Sequence, residues 1–274
     1  MRVVAIVVSH NSAHDLPESL GSLSALPLDR TVVADNASTD DSVAVAARYT
    51  PHVLRRANDG FGAGVNAAAA SAPDADAYLL FNPDCRIAEA DFAALVAALH
   101  EGFAAVAPRM RYPDGRFGVS SGSAPSMAKE WIAALRLDEA VPPGLKRRLA
   151  ASSLLRRAVP MLAYLDVTPT PGTVAVDWVS GFCMLVRADA FRAAGGFDER
   201  FFLYFEDVDL CARLRAAGGR IGAAGRSVAD HRESTSTAVV GKKRLYRDGM
   251  TVYFGLYGGR VQRLAARALR RFPG

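Results

Sequence analysis

The sequence has few of the features that mark a secreted or membrane-spanning protein. Its 274 residues include only three cysteines, an odd number with no Cys-x-x-Cys pair. A disulfide framework is therefore not expected, and the composition favours a reducing, cytoplasmic setting. An apolar, strand-like run follows Met1 almost at once, so no signal peptide is predicted. No apolar run is long enough to cross a bilayer.

Two common nucleotide-binding motifs are also missing. No G-x-x-x-x-G-K-[ST] segment occurs, which excludes a P-loop. The glycine-rich stretch at 60–64 reads G-F-G-A-G rather than G-x-G-x-x-G, and it follows the third predicted strand rather than the first. Its glycines either form a turn with tight helix packing or let the backbone approach a nucleotide closely. The residues alone leave both interpretations open.

Basic residues are in excess, with a net charge of +5 at pH 7, and the excess is concentrated late in the chain. This distribution indicates an anionic surface or ligand rather than a charge spread evenly over the fold. No nucleic-acid partner is expected. The last segment predicts a basic amphipathic helix that either lies on anionic lipid or presents a solvated face. It interleaves Arg260, Arg263, Arg267, Arg270 and Arg271 with Leu264, Leu269 and Phe272.

Apolar runs alternate with helical patterns through the first hundred residues. Strands are predicted over 3–8, 31–34, 53–55, 78–81 and 104–107. Such alternation predicts an α/β fold with an open, mostly parallel sheet flanked by helices. Small polar or acidic residues follow the strands, and ligands of such sheets bind at that edge, so we expect these side chains to share a site. They are Ser9, Asn11, Asp35, Asn36, Asn58, Asn82 and Asp84.

The pattern weakens between 109 and 173, which predicts an irregular insert. Regular structure then returns, and the last predicted strand leads to His231. The predicted elements are strands over 174–179, 183–186, 221–224 and 227–229, and helices over 189–194, 206–217, 242–256 and 260–271.

The stretch Phe201–Arg213 places carboxylates directly after an aromatic run. A helix starting near Glu206 puts Leu210 and Leu214 on a core-facing stripe together with Asp207. Asp209 and Arg213 are four residues apart and can pair, which leaves Asp207 at a pocket edge without an obvious structural partner. The alternative is that the acidic residues only cap the helix and favour its dipole.

Asp84, Asp207 and His231 form a candidate catalytic set. Mg²⁺ and Mn²⁺ prefer oxygen ligands, and Mn²⁺ tolerates a histidine, so Asp84 and His231 can share a divalent ion. Asp207 then remains free to accept a proton. The alternative for His231 is a structural histidine.

Six segments in a fixed order resemble glycosyltransferase family two, and within it the bacterial rhamnosyltransferases that extend a polyprenyl-diphosphate-linked sugar. They are DNASTDDS, NDGFGAGVN, FNPD, WVSGFCMLVR, GGFDERFFLYFEDVDLCARL and His231. The resemblance covers about residues 3–233. It implies a GT-A fold, a nucleotide-sugar donor, an inverting reaction and a divalent metal, Mg²⁺ or Mn²⁺.

The resemblance also implies roles for single residues. Asp207 stands at the catalytic-base position, and Asp84 and His231 are expected to hold the metal. The first position of the family's D-x-D motif is Asn82 here, a departure that puts Asn82 in doubt as a ligand. Nucleotide contacts are expected from Ser9, Asn11, Asp35, Asn58, Asn66 and Asn82, and acceptor contacts from Trp178, Gly181 and Glu206.

The expected organisation follows from these segments. A GT-A domain over 1–237 would comprise a nucleotide-sugar half (1–108), the irregular insert (109–173) and an acceptor and catalytic half (174–237). A basic amphipathic helical extension would follow at 238–274. The expected location is cytoplasmic, peripheral on the inner face of the cytoplasmic membrane, and a homodimer is among the open oligomeric states.

Alternatives remain for the function. The donor favoured by the resemblance is dTDP-rhamnose, with a lipid-linked saccharide as acceptor. A galactofuranosyl- or N-acetylglucosaminyltransferase using a UDP-sugar is the alternative within the enzymes. A nucleotidyltransferase would carry a glycine- and basic-rich loop after the first strand, where this chain has Ser9-His10-Asn11-Ser12. A non-catalytic nucleotide-binding protein is the alternative of another class.

Overall fold

A computed structural model describes residues 1–135, 172–232 and 239–271. Its strands are β1 (Val3–Ser9), β2 (Arg30–Asn36), β3 (Val53–Arg56), β4 (Ala77–Phe81), β5 (Cys85–Ile87), β6 (Phe103–Arg111), β7 (Ser121–Gly122), β8 (Thr173–Val176), β9 (Trp178–Val179), β10 (Cys183–Arg187) and β11 (Arg220–His231). Its helices are α1 (Leu16–Ser24), α2 (Ser42–Ala46), α3 (Phe61–Ala70), α4 (Glu89–His100), α5 (Met127–Ala134), α6 (Ala188–Ala193), α7 (Glu206–Ala216), α8 (Val239–Tyr257) and α9 (Arg260–Arg270).

One large sheet organises the described part of the chain. Its strands run in the order β3-β2-β1-β4-β10-β6-β11-β5, and β8 pairs with β11. The pairs among β1 to β4 are parallel, as is the pair of β6 and β11. The predicted α/β class and mostly parallel sheet are therefore confirmed. The carboxyl ends of β1, β2 and β4 meet at one edge.

The interior strands are buried on both faces, as their unbroken apolar runs predict. Alternate residues of β1 face two different clusters: Val3, Ala5 and Val7 pack with α1 and α4, and Val4, Ile6 and Val8 pack with α3 and α7. The sheet is thus the middle layer between helices, and its edge positions the polar residues that follow each strand.

The second half of the chain departs from the predicted strands in several places. β10 runs antiparallel between β4 and β6, an orientation that a short apolar run does not encode. The predicted strand over 174–179 is divided, because the N–H of Asp177 donates to Gly122 O at 2.9 Å and turns the chain towards β7. The two short strands predicted before His231 are one bulged strand, β11.

The insert predicted over 109–173 is irregular only in part. β6 continues to Arg111, and β7 and α5 follow before residue 135. The remainder of that prediction, 136–171, lies outside the described residues.

The C-terminal helices pack on the start of α7. Met250 and Phe254 of α8 and Leu269 of α9 join a third apolar cluster around Phe201 and Phe205. The two predicted helices are therefore present, and part of the apolar stripe of α9 is used within the protein. Among the helices described, none is both long enough and apolar enough to cross a membrane.

Candidate active site

One cleft of about 930 Å³ opens at the carboxyl edge of the sheet. The ends of β1, β2 and β4 contribute to it, together with the start of α7, the end of β11, and residues of α5 and α8. The structure brings most of the predicted site residues to this cleft. Those that line it are Asn58, Asn82, Asp84, Trp178, Gly181, Glu206, Asp207 and His231.

Asp84 and His231 lie side by side although 147 positions of sequence separate them. A short strand missed by the sequence prediction, β5, causes this, because it pairs antiparallel with β11 in a register that sets Cys85 opposite His231. His231 Nε2 lies 3.3 Å from Asp84 Oδ1. The same ring nitrogen lies 3.4 Å from the amide nitrogen of Asn82. Both side chains of the Asp84–His231 pair are largely buried.

These donor atoms fit a divalent cation. Bonds of about 2.1 Å at right angles put neighbouring ligand atoms about 3 Å apart, close to the separation of Asp84 and His231 seen here. Cys85 Sγ also lies within 4.8 Å of both. Burial raises the pKa of the Cys85 thiol well above its usual value, and Cys85 belongs to the apolar core. The oxygen and imidazole donors therefore favour Mg²⁺ or Mn²⁺ over a thiolate-bound metal.

Asp207 projects from the first turn of α7 into the cleft and is held there by backbone groups. The N–H of Gly181 donates to Asp207 Oδ2 at 3.0 Å, and the N–H of Val208 donates to Oδ1 at 2.8 Å. The prediction that Asp207 lacks a structural partner is therefore wrong. Burial raises the pKa of Asp207, and these two donors together with the hydroxyl of Ser180 act in the opposite direction.

Glu206 is the most confined carboxyl group of the cleft. Its residue is 5% exposed, and its Oε2 is buried without a hydrogen-bond partner among the described residues. Burial first, and then the charge of Asp207, raise the pKa of Glu206 well above its usual value. The state in which only one of the two adjacent carboxyl groups, Glu206 and Asp207, is ionised is therefore favoured.

Asp209 has a different environment on the other side of α7. Its carboxylate pairs with Arg213 at 2.7 Å, as the four-residue spacing predicts. The hydroxyl of Tyr257, at the end of α8, donates to Asp209 Oδ1 at 2.7 Å. The Asp209 carboxylate therefore has structural partners, and its hydrogen bond with Tyr257 connects α8 to the helix that carries Asp207.

A sharp turn places the start of α7 at the cleft. Tyr204 and Phe205 both have a φ of 69°, in the left-handed region that side chains other than glycine seldom occupy. The carbonyl of Phe202 accepts a hydrogen bond from Phe61 N–H at 2.9 Å. Gly60, at φ 105°, passes so close that an added Cβ would lie 2.4 Å from that carbonyl. The glycine stretch therefore serves tight packing against the aromatic run.

The predicted nucleotide residues fall into two groups. Asn58 and Asn82 line the cleft, whereas Ser9 and Asp35 are buried register partners at the ends of β1 and β2. Ser9 Oγ and Asp35 Oδ1 are buried without hydrogen-bond partners among the described residues. Val8 and His10, the neighbours of Ser9 in sequence, both line the cleft.

Two predicted residues are placed away from this set. Asn11 joins two loops, since its Oδ1 accepts a hydrogen bond from the N–H of Thr39 at 2.8 Å. Asn66 binds the backbone of Phe197 through both ends of its amide, at 2.8 and 2.9 Å. Neither is among the residues that line the cleft. The structure thus gives Asn66 a structural contact where the sequence predicts a nucleotide contact.

The sequence prediction missed one wall of the cleft. Lys129 and Glu130 of α5 and Lys242 and Tyr246 of α8 line it. Tyr246 donates to Glu130 Oε2 at 3.1 Å, which joins the two helices. Lys129 and Glu130 fall in the insert where the pattern is weak, and Lys242 and Tyr246 fall in a predicted helix that nothing in the sequence connects to the site. Only their basic and aromatic composition could have signalled a site.

Comparisons with known proteins identify the family of this chain. The family model Glycosyl transferase family 2 matches residues 4–159. The N-acetylglucosaminyl-diphospho-decaprenol L-rhamnosyltransferase of Mycobacterium tuberculosis is 33% identical over 231 residues, which cover 78% of this chain and 70% of that protein. Rhamnosyltransferase WbbL of Escherichia coli is 52% identical over 46 residues, 17% of each chain.

A solved structure supports the fold. The mannosyltransferase PcManGT from Pyrobaculum calidifontis, in complex with GDP-Man and Mn²⁺, superposes with a TM-score of 0.60 at 14% identity, covering 98% of this chain and 73% of that one. The superposition shows the GT-A fold. The family model and the 33% identical relative show that the chain is a glycosyltransferase. The chain belongs to glycosyltransferase family 2, and the two relatives described above are rhamnosyltransferases by name.

The buried Glu206 generates a prediction for stability. The folded protein resists ionisation of Glu206, because its pKa is raised from an ordinary value near 4.5. Wild-type stability is therefore lost as pH rises from that value through the folded-state pKa. We expect Glu206→Gln to raise the melting temperature relative to wild type at pH 8, and by less at pH 5.

The matched control is Glu89→Gln, an exposed glutamate at the first position of α4. Thermal unfolding of the three proteins across this pH range measures the effect. If the melting-temperature difference between Glu206→Gln and wild type does not grow with pH, burial does not raise the pKa of Glu206.

Proposed function

We propose that this chain is an inverting, metal-dependent glycosyltransferase that moves rhamnose from dTDP-rhamnose onto a polyprenyl-diphosphate-linked saccharide in cell-wall or surface polysaccharide assembly. The observation that carries the proposal is that Asp207 and the Asp84–His231 pair line one cleft at the carboxyl edge of the sheet. The Mycobacterium tuberculosis relative supports this choice of sugar and acceptor, because its name describes an L-rhamnosyltransferase acting on N-acetylglucosaminyl-diphospho-decaprenol.

Asp207 is the general base of this reaction. The acceptor hydroxyl must lose its proton as it attacks the sugar from the face opposite the leaving nucleotide. A positioned carboxylate contributes about 10²- to 10⁴-fold to such a step. Gly181 N–H and Val208 N–H hold the Asp207 carboxylate in one orientation, and its raised pKa makes it a better proton acceptor near neutral pH.

Asp84 and His231 would hold the divalent ion, Mg²⁺ or Mn²⁺. When bound, the metal supplies charge neutralisation for the leaving diphosphate. The proposed nucleotide contacts are Asn58 and Asn82, which line the cleft, and Ser9 and Asp35, whose buried Oγ and Oδ1 atoms lack a hydrogen-bond partner among the described residues. Trp178 and Gly181 flank the acceptor side, with the indole N–H of Trp178 fixed on Ser123 O at 2.9 Å.

The proposed division of labour follows the chain. Residues 1–108 bind the nucleotide sugar, and 174–237 carry the acceptor site and the base. A thermal-shift panel of nucleotide sugars with Mg²⁺ or Mn²⁺ identifies the donor. A larger rise in melting temperature with dTDP-rhamnose than with dTDP or UDP-sugars supports the proposed donor. A larger rise with a UDP-sugar contradicts it.

The extension at 238–274 is proposed to hold the enzyme on an anionic membrane, the inner face of the cytoplasmic membrane. On α9, Val261 is 81% and Leu264 is 65% exposed, although Ala266 and Leu269 are buried against the protein. Arg260 and Arg267 are exposed beside them. An exposed apolar pair flanked by arginines suits the boundary of an anionic bilayer.

The first functional prediction concerns the base. Asp207→Asn is expected to fold and to bind nucleotide normally while losing about 10²- to 10⁴-fold in transfer rate, because the amide cannot take the proton. Transfer of rhamnose to a lipid-linked acceptor and calorimetric nucleotide binding measure the two properties. Asp189→Asn, at an exposed position, is the control. Near-normal turnover by Asp207→Asn removes Asp207 from the mechanism.

The second concerns the metal. Asp84→Ala is expected to weaken dTDP binding in the presence of Mn²⁺ by at least about 10-fold, the lower end of what losing even an outer-shell partner costs a metal site. Without Mn²⁺, wild type and variant are expected to bind alike. Calorimetry with and without Mn²⁺ measures this, with Asp189→Ala as control. Equal Mn²⁺-dependent affinity in wild type and Asp84→Ala contradicts the assignment.

The third concerns the membrane. Replacing both Val261 and Leu264 with Asp is expected to reduce co-sedimentation with vesicles that contain anionic lipid, because it removes exposed apolar surface and adds negative charge. Tyr49→Asp, at a position 42% exposed and remote from α9 in sequence, is the control. Equal sedimentation of the double variant and wild type contradicts a role for α9.

A further inference from the structure

Two neighbouring residues before α7 have a backbone conformation that their side chains disfavour. Tyr204 and Phe205 both have a φ of 69°, and neither is a glycine. Residues in such conformations persist only where the surrounding structure holds them, and they cluster at functional sites. Phe205 immediately precedes α7 and lies two positions before Asp207. The contacts that hold this turn therefore also set where the Asp207 carboxylate lies.

One face of α8 supplies those contacts. Its contacting residues recur at intervals of three or four, which places them on a single stripe of the helix: Tyr246, Gly249, Tyr253 and Tyr257. The ring centroids of Tyr246 and Tyr253 lie 5.0 and 5.7 Å from that of Phe205. Further along the stripe, the hydroxyl of Tyr257 donates to Asp209. The helix α8 thus contacts both the left-handed turn and the first turn of α7.

Gly249 makes the closest approach on this stripe. A Cβ added there would overlap the carbonyl oxygen of Tyr204 and would lie 3.3 Å from the carbonyl oxygen of Leu203. A Cβ added at Gly255, on the same helix, would meet no described atom within 4 Å. The missing side chain at Gly249 therefore lets α8 rest directly on the backbone of the turn, a contact that Gly255 does not make.

The orientation of Asp207 is sensitive to this contact. Of the two backbone groups that hold its carboxylate, the N–H of Val208 belongs to α7 and moves with it. The N–H of Gly181 lies in the turn before β10, so its hydrogen bond to Asp207 lengthens or bends when α7 shifts. Hydrogen bonds weaken steeply as their geometry worsens. A shift of the left-handed turn therefore loosens the carboxylate that faces the cleft.

We propose that α8 positions the general base of the transfer reaction. Gly249 sets the place of the left-handed turn, and Tyr257 holds the first turn of α7 through Asp209. Neither Gly249 nor Tyr257 is among the residues that line the cleft, so both act through α7 on the orientation of Asp207. The inference rests on the proposed role of Asp207. It gives the C-terminal extension a part in the reaction, in addition to the proposed contact of α9 with the membrane.

Kinetics of Gly249→Ala test this, with Gly255→Ala as the matched control. Both substitutions add one methyl group to the interior of α8, but only Gly249→Ala displaces the turn. We expect Gly249→Ala to lower kcat about 100-fold, the loss that a misplacement of about 1 Å can cause, and to bind dTDP with Mn²⁺ as wild type does. Gly255→Ala is expected to keep the wild-type kcat. Equal kcat in the two variants overturns the proposal.

The pH profile separates positioning from a loss of stability. The hydrogen bond from Gly181 lowers the pKa of Asp207, so weakening it raises that pKa. Glu206 lies beside Asp207 on the same helix and moves with it, so its influence persists. We therefore expect the acid limb of kcat/KM to move to higher pH in Gly249→Ala. A variant that is only less stable keeps the wild-type midpoint, and that result contradicts the proposal.

Tyr257→Phe tests the second contact, and it decides the question if Gly249→Ala does not fold. It removes one hydroxyl group at a residue that is 47% exposed, and Asp209 keeps its pair with Arg213. We expect kcat to fall about threefold or more, a part of what one hydrogen bond to a charged group contributes, with unchanged dTDP affinity. Tyr49→Phe, at another exposed tyrosine, is the control. A wild-type kcat in Tyr257→Phe overturns the proposal.

Hydrogen exchange separates this inference from the proposed function. The Gly181 amide, followed by NMR, is expected to exchange faster in Gly249→Ala than in wild type or Gly255→Ala, whether or not the protein transfers rhamnose. If wild type transfers no rhamnose but this exchange increases, the proposed function fails while the positioning of Asp207 by α8 stands. If Asp207→Asn abolishes transfer and exchange at Gly181 is equal in all three proteins, the proposed function stands and this inference fails.

Discussion

The site depends on the contacts that hold three carboxyl groups, those of Glu206, Asp207 and Asp209, in the buried first turn of α7. A helix N-terminus favours negative charge, but burial alone would neutralise an acid placed there. Gly181 N–H, from the turn before β10, compensates by donating to Asp207. Asp209, two residues further along the helix, pairs with Arg213 and accepts a hydrogen bond from Tyr257 instead. The three acids of this helix thus have three different environments, and Asp207 is the one held by donors while facing the cleft.

The second constraint is the register of two strands. Asp84 and His231 become neighbours only because β5 turns back and pairs with the end of β11. The bulge in β11 shifts its pairing with β6 between Ala224 and Val228, just before the residues that pair with β5. The candidate metal site is therefore a consequence of sheet geometry. Asp84 lies in the turn between β4 and β5, and His231 is the last residue of β11.

The sequence predicted the parts of the fold that local pattern encodes. The unbroken run at Val3–Ser9 is buried on both faces, and the spacing of Asp209 and Arg213 gives the expected pair. The antiparallel direction of β10 and the pairing of β5 depend on contacts distant in sequence, and three residues carry too little periodicity to predict a strand. Asn66 shows the same limit at the site, because its partner Phe197 is 131 positions away.

Hydrogen bonds between segments distant in sequence also connect the two sides of the cleft. The side chain of Asn36, the last residue of β2, donates to Gly60 O at 2.9 Å, and Phe61 N–H donates to Phe202 O in the aromatic run before α7. Gly60 leaves no room for a side chain between these segments. One side-chain and one backbone hydrogen bond therefore link the end of β2, through Gly60 and Phe61, to the segment that precedes the left-handed turn at Phe205. Because hydrogen bonds are directional, a displacement of the glycine stretch is expected to move the start of α7, and with it the Asp207 carboxylate that lines the cleft.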